Sequence, residues 1–251
     1  MITLSSDFGA PYPAAMKGVI ARACDARLVD VSHEFPRQDV STAAFWLTQT
    51  LPYFPPAVHC VVVDPGVGTD RDALVVRAGE HALVGPDNGV LLPAARELAG
   101  DVEVFTWAYE DAASTTFHGR DVFAPAAAAV HETGVDAVPD LDRTTATDEF
   151  VDLQFPVADR DGDGATGEVL VVDGFGNVIT NVPGDVLAGR FGESVTVNGD
   201  AVPARRAYAA VEVGERLVTV GSHGNVELAV NQGRGDDAFS LEVGDAVGVA
   251  R

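Results

Sequence analysis

The chain has 251 residues, 47% of them apolar, and carries 38 acidic against 16 basic side chains for a net charge of −22. That length holds one large domain or two smaller ones, and no apolar run reaches the roughly 20 residues that cross a bilayer. The acidity is spread along the whole chain and Lys17 is the single lysine, so there is no basic patch to displace phosphate counterions, which argues against nucleic acid as a partner.

Distributed acidity of this kind is the composition of a protein kept soluble in a cytoplasm of very high salt, where screening over a few ångströms removes most self-repulsion. The N-terminal MITLSSDFG has neither the basic region nor the cleavage pattern of a signal peptide. A soluble, cytoplasmic protein without a membrane partner is expected. Cys24, near the end of a predicted helix, and Cys60, inside a predicted strand, read as small core residues in a reducing compartment.

From the N-terminus, MITLS is a short strand ending at Asp7, PAAMKGVIARAC a helix and LVDVS a strand. STAAFWLTQTLPYF reads as a helix with Ser41 or Thr42 near its N-cap. VHCVVVD is a continuous apolar strand of the kind found at the centre of a parallel sheet. ALVVRA and HALVG form a strand pair turning at Gly79 and Glu80. GVLLPAARELAG is a helix, VEVFTWA a strand and DVFAPAAAAVHETG a helix ending at Gly134. The alternation predicts an α/β domain with a mainly parallel sheet over residues 1–145.

Beyond that point TTATDEFVDLQFP is polar and extended and ADRDGDGATGE is rich in turn formers, so 146–166 reads as a linker. From 167 to 251, short β-type runs alternate with Gly, Asn and Asp turns, and Asn198-Gly199 is a strong hairpin signal. A small all-β, barrel-like domain follows.

Three motifs are set aside. Asp159, Asp161, Asp163 and Gly164 match half of a calcium loop, but its twelfth position is Leu170 and its flanks read as strands. Arg234-Gly235-Asp236 matches an adhesion tripeptide by chance. Gly66-Val67-Gly68 lacks the third glycine and the following helix of a dinucleotide loop.

Ligands of an open α/β sheet bind beyond the carboxyl ends of its strands. Asp7, Asp64, Asp87-Asn88 and His118 all fall at such ends or in the loops after them. "SSDFG" and "VVVDPGVG" share one logic, an aspartate at the end of an apolar strand followed by glycine, where backbone can approach closely. In the second unit "VVDGFGNVITN" repeats it with Asp173, Phe175 and Asn177. A ring between a carboxylate and an amide suits a nucleoside. Each aspartate singly reads as a turn former; the set, with Arg71 and His118, reads as a site.

In order, "SSDFG", "MKGVI", "VVVDPGVGT", "VGPDNGVL", "TFHGRDVFAP", "DGFGNVITN" and "GSHGNVELAVNQG" resemble the S-adenosylmethionine hydroxide adenosyltransferases, hydrolytic relatives of the 5′-halogenating fluorinase and chlorinase. The resemblance spans nearly the whole chain. It implies water-dependent cleavage of S-adenosylmethionine to adenosine and methionine, with the epimer of non-biological (R) configuration at sulfur preferred and with no cofactor or metal. It further implies an α/β domain plus a β-barrel, assembled as a homotrimer with active sites at subunit interfaces.

The family's catalytic Asp-Arg-His set falls on Asp64, Arg71 and His118. Adenosine would be held by Asp7, Asp64 and Asn177, and the methionine end and adenine edge by Ser222, Glu227 and the backbone of Val230. Asp173, Phe175, Thr116 and Phe117 are further carry-overs. Two departures stand out: the loop after Asp7 is shorter than in the family and lacks its carboxylate, and Asn225 replaces a frequent aromatic. Glu227 is a candidate to supply the missing contact to the substrate ammonium. A 5′-halogenase is the nearest rival, although halogenases carry an additional loop and lack the Asp-Arg-His set. A non-catalytic adenosine or S-adenosylmethionine sensor is the other, and it would have no need of that set.

Overall fold

The computed structural model describes residues 1–109 and 114–250, which divide into two compact units, Met1–Gln154 and Phe155–Arg251.

In the first unit the order is β1 (Ile2–Ser6), α1 (Tyr12–Ala23), β2 (Leu28–Ser32), α2 (Val40–Thr50), β3 (Val58–Val62), β4 (Ala73–Ala78), β5 (His81–Pro86), α3 (Leu92–Ala99), β6 (Glu103–Trp107), α4 (Ala124–Thr133) and β7 (Thr144–Ala146). The strands form one sheet in the order β2-β1-β3-β5-β4-β6-β7. Strand β3 is buried along its whole length, as an apolar run covered on both faces must be. Met16, Ile20, Phe123 and Val130, from α1 and the segment leading through α4, pack with Cys60 and Val62 in one core. By alternation Val61 and Val63 face the other side, where α2 and α3 lie against each other.

Two expectations are corrected here. The sheet is mixed and not mainly parallel: β1 pairs β2 and β3, and β3 pairs β5, in parallel, but β4 is antiparallel to β5 and β6, and β6 to β7. The cause is local. A tight turn at Gly79-Glu80, with Gly79 at φ +58, can only return the chain antiparallel. The N-cap of α2 is Asp39, whose carboxylate accepts from the Thr42 N–H at 2.9 Å; Ser41 and Thr42 already lie inside the helix.

The polar stretch after Arg143 joins this unit. β7 extends the sheet, Val151 N–H donates to Asp87 and Arg96 pairs with Asp152.

The second unit contains β8 (Asp159–Asp161), β9 (Gly164–Val172), β10 (Val178–Pro183), β11 (Ser194–Val197), β12 (Asp200–Pro203), β13 (Arg216–Val220), β14 (Asn225–Val230), α5 (Gly235–Phe239) and β15 (Ala246–Ala250). The antiparallel sheet runs β12-β11-β15-β9-β10-β14-β13, with β8 beside β9. Strand β9 pairs β15 along its first half and β10 along its second. The two ends approach where Arg205 N–H donates to Val218 at 3.0 Å, so the sheet nearly closes into a barrel around Val169, Val178, Val218 and Leu228. The expected Asn-Gly hairpin is present, with Asn198 and Gly199 both at positive φ.

Candidate active site

Strands β1, β3 and β5 point the same way, and β6, antiparallel to the reversed β4, shares their direction. Their carboxyl ends therefore form one rim, and the amino end of β4 lies on it too. Asp7 follows β1, Asp64 follows β3, and Asp87 and Asn88 follow β5. Tyr109 and the segment leading to His118 follow β6, and Arg71 lies two residues before the start of β4. A recess of about 300 Å³ at the opposite ends of these strands, beside Met1, Val58, Glu80 and His131, holds none of the expected residues.

Asp64 Oδ1 accepts from Arg71 Nη1 and from the Gly66 N–H, each at 3.0 Å. Its side chain is 6% exposed and that of Arg71 28%. Burial pushes the Asp64 carboxyl above its ordinary value of 3.8; Gly66, Arg71 and His118 pull it back, and the neighbouring Asp7 adds to the rise. His118 and Asp7 are therefore within electrostatic reach of Asp64.

Two glycines make this arrangement possible. A Cβ on Gly66 would lie 2.5 Å from Arg71 Nη2, and one on Gly68, at φ +83, would lie 2.5 Å from the Thr115 carbonyl. The first lets the guanidinium fold back on Asp64. The second lets the loop after β3 touch the segment before His118.

His118, 8% exposed, ends that segment and opens a π-helical turn, Gly119–Phe123, continuous with α4. Its ring meets Tyr109 edge-on, centroids 6.0 Å apart. Tyr109 escaped the sequence reading, although its place just past a strand end on the rim was a usable signal. Asp7 accepts from the Gln38 N–H at 2.6 Å. Beside it Phe8, Tyr12 and Phe117 form a mutually edge-on trio, and Arg120 caps Phe117. Thr116 is exposed, and its hydroxyl is 3.0 Å from Ser114 Oγ. Asp87 and Asn88 are occupied in holding backbone: Asp87 accepts from Val151 N–H, while Asn88 bridges the Val63 carbonyl and Val90 N–H.

In the second unit, Asp173 organises its own turn. Oδ1 accepts from the Phe175 and Asn177 N–H groups, and Oδ2 from Asn177 Nδ2 at 2.9 Å. Phe175 is left 81% exposed at the tip while Asn177 is buried. Gly176, at φ +86, allows the turn to pack against Arg234 and Asp236. Glu227 is 4% exposed; it accepts from Tyr208 OH at 2.6 Å and lies 3.3 Å from His223 Nε2. Ser222 is exposed in the turn before β14, and the Val230 carbonyl accepts from the Gly233 N–H. Tyr208 was not singled out by sequence, because it sits in a polar loop without periodicity.

Residues 2–138 match the SAM hydroxide adenosyltransferase N-terminal domain and residues 167–248 its C-terminal domain. The chain belongs to the SAM hydroxide adenosyltransferase family. It is 42% identical to the (R)-S-adenosyl-L-methionine hydrolase of Salinispora tropica, over 99% of this chain and 97% of that one. With the (R)-S-adenosyl-L-methionine hydrolase of Thermus thermophilus the identity is 39%, over 95% of each. A fluorinase from Actinopolyspora mzabensis is 25% identical over 100% of this chain and 97% of its own. A crystal structure of a conserved Thermotoga maritima protein superimposes with a TM-score of 0.86 at 33% identity and full coverage of both chains.

In this member of the SAM hydroxide adenosyltransferase family, the residues after Asp7 run directly into α1 at Tyr12 without an acidic side chain. The half-match to a calcium loop is the β8–β9 hairpin, and Arg234 of the adhesion-like tripeptide is paired with Asp236. Among the described residues, no group of three or more His, Cys, Asp or Glu side chains is placed to hold a metal ion, and no helix is long and apolar enough to cross a membrane.

Proposed function

We propose that the protein hydrolyses S-adenosylmethionine, with the (R)-sulfonium epimer preferred, to adenosine and L-methionine. One observation carries this reading. A chain alike over its full length to (R)-S-adenosyl-L-methionine hydrolases presents a buried Asp64 bonded to Arg71, with His118 in electrostatic reach.

The residue types suit the chemistry. A sulfonium is already a good leaving group, so the enzyme has only to place and activate water. The water oxygen attacks the 5′ carbon, the C5′–S bond breaks, and its electron pair returns to sulfur as the thioether of methionine. Asp64 orients the water and accepts its proton, and a carboxyl that burial raises above its ordinary value is the better base. Arg71 fixes that carboxylate and favours hydroxide electrostatically, and His118 passes the proton onward.

Asp7, Asp64 and Asn177 hold adenosine in this reading, assisted by Asp173, Phe175, Thr116 and Phe117. Ser222, Glu227 and the Val230 backbone hold the methionine end and the adenine edge. The unit with the mixed sheet supplies the catalytic set together with Asp7, Thr116 and Phe117, and the barrel unit the remaining ligand contacts. No cofactor takes part. The assembly is a homotrimer with sites at subunit interfaces, and the charge of −22 suits a cytoplasm of high salt.

Incubation with each sulfonium epimer, with and without chloride, tests the proposal. Adenosine supports hydrolysis, 5′-chloro-5′-deoxyadenosine would make the protein a halogenase, and no nucleoside product would make it a sensor. Asp64→Ala and His118→Ala are expected to lower turnover by orders of magnitude with the fold intact; wild-type turnover in Asp64→Ala would overturn the mechanism.

A further inference from the structure

The segment joining β2 to α2, residues 33–38, lies against the loop that carries Asp7. Ser6 Oγ and His33 Nδ1 share a hydrogen bond of 2.7 Å. Gly9 N–H donates to the His33 carbonyl at 3.0 Å and Phe35 N–H to the Ser6 carbonyl at 3.4 Å. Gln38 N–H donates to Asp7 Oδ2 at 2.6 Å. These four contacts fall on residues 6–9, the strand end that delivers the aspartate.

Gln38 holds φ +63, a left-handed conformation that a residue with a Cβ adopts only when its surroundings impose it. Here the conformation accompanies an N–H aimed at the Asp7 carboxylate. The bond takes up Oδ2, so Oδ1 remains as an acceptor for a ligand hydroxyl.

The segment is itself anchored. His33 Nε2 lies 3.0 Å from Asp30 Oδ1, and Lys17 Nζ donates to Asp30 Oδ2 at 2.6 Å. His33 thus joins the Ser6 hydroxyl, at Nδ1, to the Asp30 carboxylate, at Nε2. Ser6 is fully buried, so this Ser-His-Asp chain cannot present a nucleophile and its geometry is that of a brace. Lys17 ends it, in a chain whose other 15 Lys and Arg side chains are all arginine. The ammonium is a compact point charge on a flexible stem, and it reaches from α1 to a carboxylate on β2.

We propose that residues 33–38 form a strap that fixes the Asp7 carboxylate to receive the ribose hydroxyls of the substrate. Gln38 is the positioning residue and Lys17-Asp30-His33-Ser6 the brace behind it. This rests on the proposed reading in which Asp7 meets adenosine. The strap then sets selectivity for ribose over deoxyribose, because a fixed acceptor distinguishes a substrate bearing the hydroxyl from one without it, whereas a mobile acceptor adapts to either.

The test compares S-adenosylmethionine with its 2′-deoxy and 3′-deoxy analogues on wild type, His33→Ala, Lys17→Ala and Lys17→Arg, with thermal unfolding to verify the fold. Wild type is expected to prefer the ribose substrate. His33→Ala should lower kcat/KM for S-adenosylmethionine about 10-fold, mainly through KM, and leave a deoxy analogue nearly unchanged, so that selectivity collapses. Lys17→Ala should do the same to a lesser degree and Lys17→Arg should restore selectivity. If His33→Ala fails to fold, Asp30→Asn provides the same comparison. Wild-type selectivity in folded His33→Ala or Asp30→Asn overturns the strap and leaves the hydrolase reading intact. A wild-type enzyme that makes adenosine without preferring ribose removes the role of Asp7 and the strap together, and a wild type that makes no adenosine removes the whole reading.

Discussion

Arg71 donates to Asp64 across 3.0 Å, yet the Asp64 carboxyl stays above its ordinary 3.8 because burial outweighs the guanidinium. For a carboxyl raised in the folded state, the protonated form is favoured by folding. Stability from this group is present below 3.8 and is lost as pH climbs through the raised folded value. At pH 7 the site thus carries a charge that disfavours the fold. Asp64→Asn is expected to unfold at or above the wild-type temperature while losing activity by about 100-fold or more. The acid limb of wild-type activity should fall above 3.8. Thermal unfolding and initial rates across pH check both.

Gly66 and Gly68 separate catalysis from folding. A Cβ at Gly66 meets the movable end of Arg71, whereas a Cβ at Gly68 meets the fixed Thr115 backbone in a left-handed conformation. Gly66→Ala should cost little stability and lower kcat by about 10-fold or more through displaced Arg71. Gly68→Ala should cost about 1–3 kcal/mol of stability. Urea unfolding beside kcat for both variants decides.

Buried His59 is expected to make stability fall on acidification. It shares hydrogen bonds with Thr3 and His81, and burial holds it down to about 3 from 6.5. With the folded value depressed, the unfolded chain binds the extra proton between these limits. Its contribution is therefore full above 6.5 and is lost as pH falls toward 3. Going from pH 7 to pH 5 should cost about 2 kcal/mol from this residue. His59→Asn should flatten that slope in urea titrations.

Tyr208 holds Glu227 through a 2.6 Å hydrogen bond, and the carboxylate in turn raises the pKa of the phenol, with burial the larger cause. Tyr208→Phe leaves a buried acceptor short of a donor and should cost about 1–3 kcal/mol. If Glu227 receives the methionine ammonium, KM for S-adenosylmethionine should rise several-fold while the analogue lacking the amino group is unaffected. Equal effects on both substrates would remove Glu227 from that role.

The rim was legible because its signals are local. Val61 to Val63 end in Asp64 and MITLS ends in Asp7, and apolar strands closing on an aspartate mark carboxyl ends whatever the sheet order. Strand direction was less legible. The Gly79-Glu80 turn already implied an antiparallel pair, but nothing in ALVVRA shows that β4 lies between β5 and β6. Polar Thr144–Ala146 has no periodicity to announce β7. Gln38 N–H on Asp7 and Tyr208 on Glu227 join residues 31 and 19 positions apart, and such contacts leave no trace in spacing.

Oxygen labelling tests the central claim most directly. Turnover of (R)-S-adenosylmethionine in ¹⁸O-water containing chloride should give adenosine with the label in its 5′ hydroxyl and methionine without label. Unlabelled adenosine, a chlorinated nucleoside or no product would contradict attack by water at the 5′ carbon.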